Sequence, residues 1–169
     1  MLYQPPGCPP QMAVTQKHGV LYVYDRTSLS SGPVQTLLIN GSQGFIGGLA
    51  YDPTTDLVYV AHGDDPPRGS YKHGLVALKV GSSCKLSLAW QQPSPSNGGV
   101  TSAPSVADGV VYYANGAGNR LFAYDAANGT PLWNSGTTLK GPVFAAPTIV
   151  NGALYAGSWD HKLHAFSIP

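Results

Sequence analysis

Ala103-Pro104-Ser105-Val106-Ala107-Asp108-Gly109-Val110-Val111-Tyr112 recurs 43 residues later as Ala146-Pro147-Thr148-Ile149-Val150-Asn151-Gly152-Ala153-Leu154-Tyr155. Each copy reads as a short strand, an Asp-Gly or Asn-Gly turn, and a second strand. That is a hairpin signal, because a two-residue turn of this type needs positive φ at both positions. The correspondence continues through Leu121-Phe122-Ala123-Tyr124 and Leu163-His164-Ala165-Phe166, now at an offset of 42. Short alternating strands in units of about 40–50 residues predict blades arranged around an axis.

Two more worn copies lie upstream. Gly48-Leu49-Ala50-Tyr51-Asp52, Leu57-Val58-Tyr59-Val60 and Leu75-Val76-Ala77-Leu78 supply three strands of one unit, which carries a seven-residue insertion relative to the next. Before it, residues 11–15, 19–25 and 35–39 supply strands of another. With the strands of a unit labelled A to D, the first unit begins at strand B and the last stops after strand C. The expectation is an all-β chain: a partial β-propeller of about four four-stranded antiparallel blades, incomplete at both ends. Its blades fall near 11–40, 45–91, 100–135 and 143–169, after an N-terminal extension over 1–10. Propellers hold about 4–8 blades, so this reading makes the chain the C-terminal part of a larger propeller, completed by upstream blades, or one member of an oligomer in which a second copy completes the ring.

Composition agrees. The 169 residues include 21 Gly and 15 Pro but only 10% charged residues, against about 25% in an average domain. Long helices have no room among so many breakers, and 43% hydrophobic content with a net charge of +1 is not that of a disordered chain. No two Lys or Arg are adjacent, so no phosphate-tracking stripe marks a nucleic-acid partner. The charge-free stretch 86–107 is broken by Pro93, Pro95 and Pro104, which excludes a membrane span there. The N-terminus carries neither a basic region nor an apolar run of signal-peptide type.

Ala123-Tyr124-Asp125-Ala126-Ala127-Asn128-Gly129-Thr130-Pro131-Leu132-Trp133 resembles the repeat motif of the pyrroloquinoline-quinone (PQQ)-like β-propellers, Ala-x-Asp-x-x-Thr/Asn-Gly-x-x-x-Trp. The resemblance implies that Asp and Gly shape the turn between strands C and D, and that Trp90 and Trp133 dock between blades. Residues 16–26 resemble the third strand of such a blade. The second unit has Lys79 where the motif has Asp, and the first has Asp25 but no Trp. The family holds quinoprotein alcohol dehydrogenases, which carry PQQ and Ca²⁺, and non-catalytic scaffolds of outer-membrane protein assembly. The enzymes use a base carboxylate, an oxygen-rich Ca²⁺ site and usually an adjacent Cys pair. This chain contains no Glu and no Cys-Cys pair. The reading that follows is a non-catalytic extracytoplasmic binding or scaffolding module without catalytic, cofactor-binding or metal-binding residues of its own. The alternative is the C-terminal part of a PQQ-dependent alcohol dehydrogenase-like oxidoreductase whose site for PQQ and Ca²⁺ lies in upstream blades.

The most polar stretch is the insertion at 62–73, on the face of the B–C loops. His62, Asp64, Asp65, Arg68, Tyr71 and His73 there, with Asn115 and Arg120 from the third unit and Trp159, Asp160 and His161 from the fourth, form the expected recognition face. Imidazole and carboxylate together suit a divalent metal, but a solvated loop with turn-forming Asp and Pro accounts for the same residues. Cys8 and Cys84 fall on same-face loops of adjacent blades, so a disulfide between them is allowed and a pair of free thiols equally so. A bridge would indicate an oxidising compartment, which the family resemblance also implies.

Overall fold

Asp108 and Gly109 adopt φ of 49° and 75°, and Asn151 and Gly152 adopt 50° and 73°. This is the left-handed pair that lets a two-residue turn follow the twist of its strands. Each turn joins an A strand to a B strand. The structure, a computed structural model, describes residues 1–40, 48–63, 71–94, 101–116 and 118–168. Apart from one 3-10 turn at Leu29–Ser31, its regular elements are strands, and no helix is long and apolar enough to cross a membrane.

Four antiparallel sheets follow one another along the chain. Blade 1 comprises β1 (Leu2–Tyr3), β2 (Gln11–Gln16), β3 (Val20–Asp25) and β4 (Gln35–Leu38). Blade 2 comprises β5 (Ala50–Asp52), β6 (Leu57–His62), β7 (Gly74–Val80) and β8 (Leu86–Pro93). Blade 3 comprises β9 (Ser105–Ala107), β10 (Val110–Asn115), β11 (Arg120–Asp125) and β12 (Pro131–Asn134). Blade 4 has three strands, β13 (Thr148–Val150), β14 (Ala153–Ser158) and β15 (Lys162–Ser167). The A strands β5, β9 and β13 neighbour one another, which places them on the inside of the arc.

One expectation needs correction. Residues 1–10 are not an extension and the first unit does not begin at strand B. Leu2 and Tyr3 pair with Met12 and Gln11 as an A strand, and the N-terminal amine donates to the Ala13 carbonyl at 2.9 Å. Blade 1 is therefore four-stranded, and of the two blades expected to be incomplete only blade 4 lacks a strand. Two residues are too few to show the alternation by which a strand is read in sequence.

The core is divided among the blade junctions. Tyr3, Ala13, Leu21 and Val23 of blade 1 meet Val58, Val60, Val76 and Leu78 of blade 2. Tyr59, Ala61, Leu75 and Ala77 on the other face of blade 2 meet Val111, Tyr113, Phe122 and Tyr124 of blade 3. Tyr112, Ala114, Leu121 and Ala123 then meet Leu154 and Ala156 of blade 4. Successive strand residues point to opposite faces, so each residue of β6 is buried, whereas β2 and β14 alternate. Each large apolar side chain so buried contributes roughly 1.5–3 kcal/mol.

Candidate functional site

The expected recognition face divides into a buried part and an exposed part. His62 ends β6 with no solvent exposure. Asp64, Asp65 and Arg68 lie outside the described residues. Tyr71 packs partly against the core between blades 1 and 2, and burial raises its phenol pKa. His73 Nε2 lies 2.8 Å from the Ser94 carbonyl oxygen. Asn115 Nδ2 donates to Ser94 Oγ, and Asn115 Oδ1 accepts from the Gly118 amide at 3.3 Å. Ser94 thus links His73 of blade 2 to Asn115 of blade 3, a role that a lone serine before a Pro-rich stretch does not announce. Arg120 opens β11 half-buried.

The blade 4 residues are held by other neighbours. Trp159 is 70% exposed, and its ring stands edge-on to Phe144 with centroids 4.8 Å apart. Asp160 accepts from the Lys140 amide at 3.1 Å and lies 2.9 Å from His164 Nε2. His161, exposed at φ 63°, makes the turn. The Asp160–His164 pair forms because a three-residue turn folds β15 back beside β14; its four-residue spacing alone gave no sign of it.

Carboxylates elsewhere do the same kind of structural work. The Thr27 hydroxyl, then the Thr27 amide, hold Asp25 below the usual carboxylate range. Burial pushes Asp52 up, but the Thr54 hydroxyl and amide and the Thr55 hydroxyl outweigh it and the net shift is downward. Burial likewise opposes a larger downward pull on Asp160 from Lys140, His164 and Ser158. Asp125 accepts from the amides of Ala127 and Asn128 at 2.9 and 3.1 Å. A quinone–Ca²⁺ centre needs several oxygen donors converging on one point. These four carboxylates are instead spread over four blades, each turned onto its own loop, so they do not fit such a centre. No group of three or more His, Cys, Asp or Glu among the described residues could hold a metal ion.

The opposite face carries an open groove of about 600 Å³ between blades 2 and 3, lined by Thr55, Leu57, Lys79, Ala89, Trp90, Ala127 and Asn128. Ala89 projects there because a register shift lets Trp90 pair with Ala77 and Leu88 with Leu78. Trp90 Nε1 donates to the Ala126 carbonyl of blade 3 at 3.1 Å, and the Tyr59 hydroxyl donates to the same oxygen at 2.9 Å. Burial above all pushes the Tyr59 phenol up to about 12. The indole also lies over Gly129, whose φ is 76°; a Cβ built there would sit 2.6 Å from Trp90 Cε3. Trp133 meets the edge of Phe166, centroids 5.1 Å apart. On this same face Cys8 and Cys84 form a disulfide with Cα atoms 5.6 Å apart.

Residues 86–168 match the family described as outer membrane protein assembly factor BamB. They are PQQ-like propeller repeats. The fold is similar to that of the computationally designed Ika4 protein (TM-score 0.65, 13% identity), the match covering 94% of this chain and 86% of that one. It is also similar to BamB from Moraxella catarrhalis (TM-score 0.62, 19% identity), covering 94% of this chain and 43% of that one. The chain thus spans less than half the length of BamB. At these identities the likeness is one of fold alone. No curated protein matches the sequence.

Proposed function

We propose that this PQQ-like propeller unit is a non-catalytic binding or scaffolding module that works outside the cytoplasm, within a ring completed by further blades. One observation carries the reading: among the described residues the carboxylates whose pKa is shifted, Asp25, Asp52 and Asp160, are all shifted down. A general base working near neutrality needs the opposite shift, and these groups are occupied in holding turns. The assembly-factor role named in the description that matches residues 86–168 agrees with that use. The Cys8–Cys84 bridge supports an oxidising compartment. Trp159, braced by Phe144 and largely exposed, is the anchor we assign to the partner surface, since rigid aromatics dominate protein contacts.

Two measurements test this. The intact protein, with whatever blades complete its ring, supplied with PQQ, Ca²⁺, short alcohols and a redox dye should show no dye reduction above the protein-free rate; sustained reduction would establish the dehydrogenase reading instead. Alkylation of thiols in intact source cells, before lysis, should leave Cys8 and Cys84 unlabelled. Labelling of both would place the protein in a reducing compartment and overturn the extracytoplasmic assignment.

A further inference from the structure

The residues buried at each junction follow a rule that the two outermost sheet faces also obey. On the face a blade turns toward its successor, blade 2 sets Tyr59 opposite Ala77 and Ala61 opposite Leu75. Blade 3 repeats this with Tyr112 opposite Ala123 and Ala114 opposite Leu121. Blade 4 repeats it again with Tyr155 opposite Ala165 and Gly157 opposite Leu163. In the first two cases these residues are buried against the next blade. In blade 4 they are open, and Leu163 is 73% exposed where Leu75 and Leu121 have no exposure.

The face turned toward a predecessor has its own pattern. Val58 opposite Leu78 and Val60 opposite Val76 fill it in blade 2, and Val111 opposite Tyr124 and Tyr113 opposite Phe122 in blade 3. Blade 1 places Met12 opposite Tyr24 and Val14 opposite Tyr22 in the same register. That face is also open, with Val14 41% exposed and Leu2 and Leu38 beside it.

From this repetition we infer that the chain self-associates head to tail: the outer face of blade 4 docks on the outer face of blade 1 of a second copy, continuing the inter-blade packing already present three times within the chain. A second copy is the occupant because each chain offers one face of each kind, and the two kinds are the pair that packs at every internal junction. The interface is heterologous, so it must close on itself or propagate. Four blades superpose on 43% of BamB, so two such arcs complete about one turn, and the assembly closes as a two-fold ring with two identical contacts. The inference rests on the propeller fold and not on the absence of catalysis, so the dye assay and the test below fail independently.

Sedimentation equilibrium on the whole chain at about 1–100 μM, a range that spans typical dissociation constants for self-association, should give twice the 17.6 kDa monomer mass. Leu163→Asp, which spoils only the blade 4 face, and Val14→Asp, which spoils only the blade 1 face, should each sediment at 17.6 kDa with unchanged circular dichroism. Mixing the two variants should restore the doubled mass, because one junction of the mixed ring then joins two intact faces. A wild-type monomer, a ladder of higher oligomers, dissociation by only one substitution, or no recovery on mixing would each overturn the inference. Should either charged variant lose its fold, Leu163→Ala and Val14→Ala are read instead; both weaken association at least tenfold if the inference holds, and neither does if it is wrong.

Discussion

The junction between blades 1 and 2 and the junction between blades 2 and 3 bury equivalent strand faces but are fastened by different chemistry. The second uses an aromatic lock: Trp90 reaches across to Gly129, and with Tyr59 donates to Ala126 of the neighbouring turn. The first has no tryptophan. Gln35 stands opposite Val23 where Trp90 stands opposite Ala77 and Trp133 opposite Ala123. Its amide grips the next blade by donating to the Leu86 carbonyl at 2.8 Å and accepting from the Leu86 amide at 2.7 Å. Gln11 donates to the Cys84 carbonyl at 2.8 Å, and the Cys8–Cys84 bridge adds a covalent tie. Where the repeat loses its motif aspartate to Lys79 and its tryptophan to Gln35, polar forks and a disulfide take over the same junction.

The sharpest way to break this comparison is to remove the staple. The bridge spans 76 residues of chain, and a loop of that size stabilises by about 4 kcal/mol if the chain-entropy account holds. Replacing both cysteines by serine should lower the urea-unfolding free energy by about that amount, and reduction of the wild type should match it. A loss below about 1 kcal/mol would mean that the apolar faces and glutamines suffice, and that the bridge does not compensate for the missing tryptophan.

At the second junction the expected effects are somewhat smaller. Trp90→Ala should cost about 3 kcal/mol, the low end for a large aromatic, because the ring is only half-buried. Gly129→Ala combines a left-handed φ with a clash against the indole and should cost about 2 kcal/mol. Once Trp90 is gone the clash is gone too, so the double variant should lose less than the sum of the singles, by roughly 1 kcal/mol. Strict additivity in calorimetry or urea unfolding would show that the two do not form one lock.

How much of this could be read in the sequence follows from which interactions have a local signal. The hairpins of blades 3 and 4 are legible because Asp108-Gly109 and Asn151-Gly152 must turn with positive φ. The Gly129 turn is legible because a whole motif surrounds it. Leu2–Tyr3 is not, since its strand character exists only in the pairing with Met12 and Gln11. Nor is the equivalence of Gln35 and Trp90: an amide and an indole share no propensity, only a register position. At the candidate site, the polar character of His62 suggested an exposed loop, yet the residue closes a strand buried on both faces. Asp160 and Trp159 were placed on a common face with it by topology, but burial and partners depend on how blades 2 and 4 pack against different neighbours.

The subtlest test of the comparison lies in the Gln35 fork, which needs a donor and an acceptor on one planar group. Gln35→Met keeps the bulk but leaves the amide and carbonyl of the buried Leu86 unpaired, at a cost of about 1–2 kcal/mol. Gln35→Glu poses a more exacting question. The introduced carboxyl, when ionised, still accepts from the Leu86 amide, but it faces the Leu86 carbonyl with a second acceptor instead of a donor. Protonation restores the donor, so the folded state favours the protonated form and raises the pKa of the new group above its ordinary value of about 4.3. A raised folded-state pKa stabilises below the unfolded value and loses that contribution as pH rises through the folded one. The deficit relative to wild type should therefore be full at neutral pH and should close as the pH falls towards about 4. Urea midpoints for both proteins across that range give the answer, and a deficit that does not change with pH would show that the amide of Gln35 is not gripping the next blade through its donor.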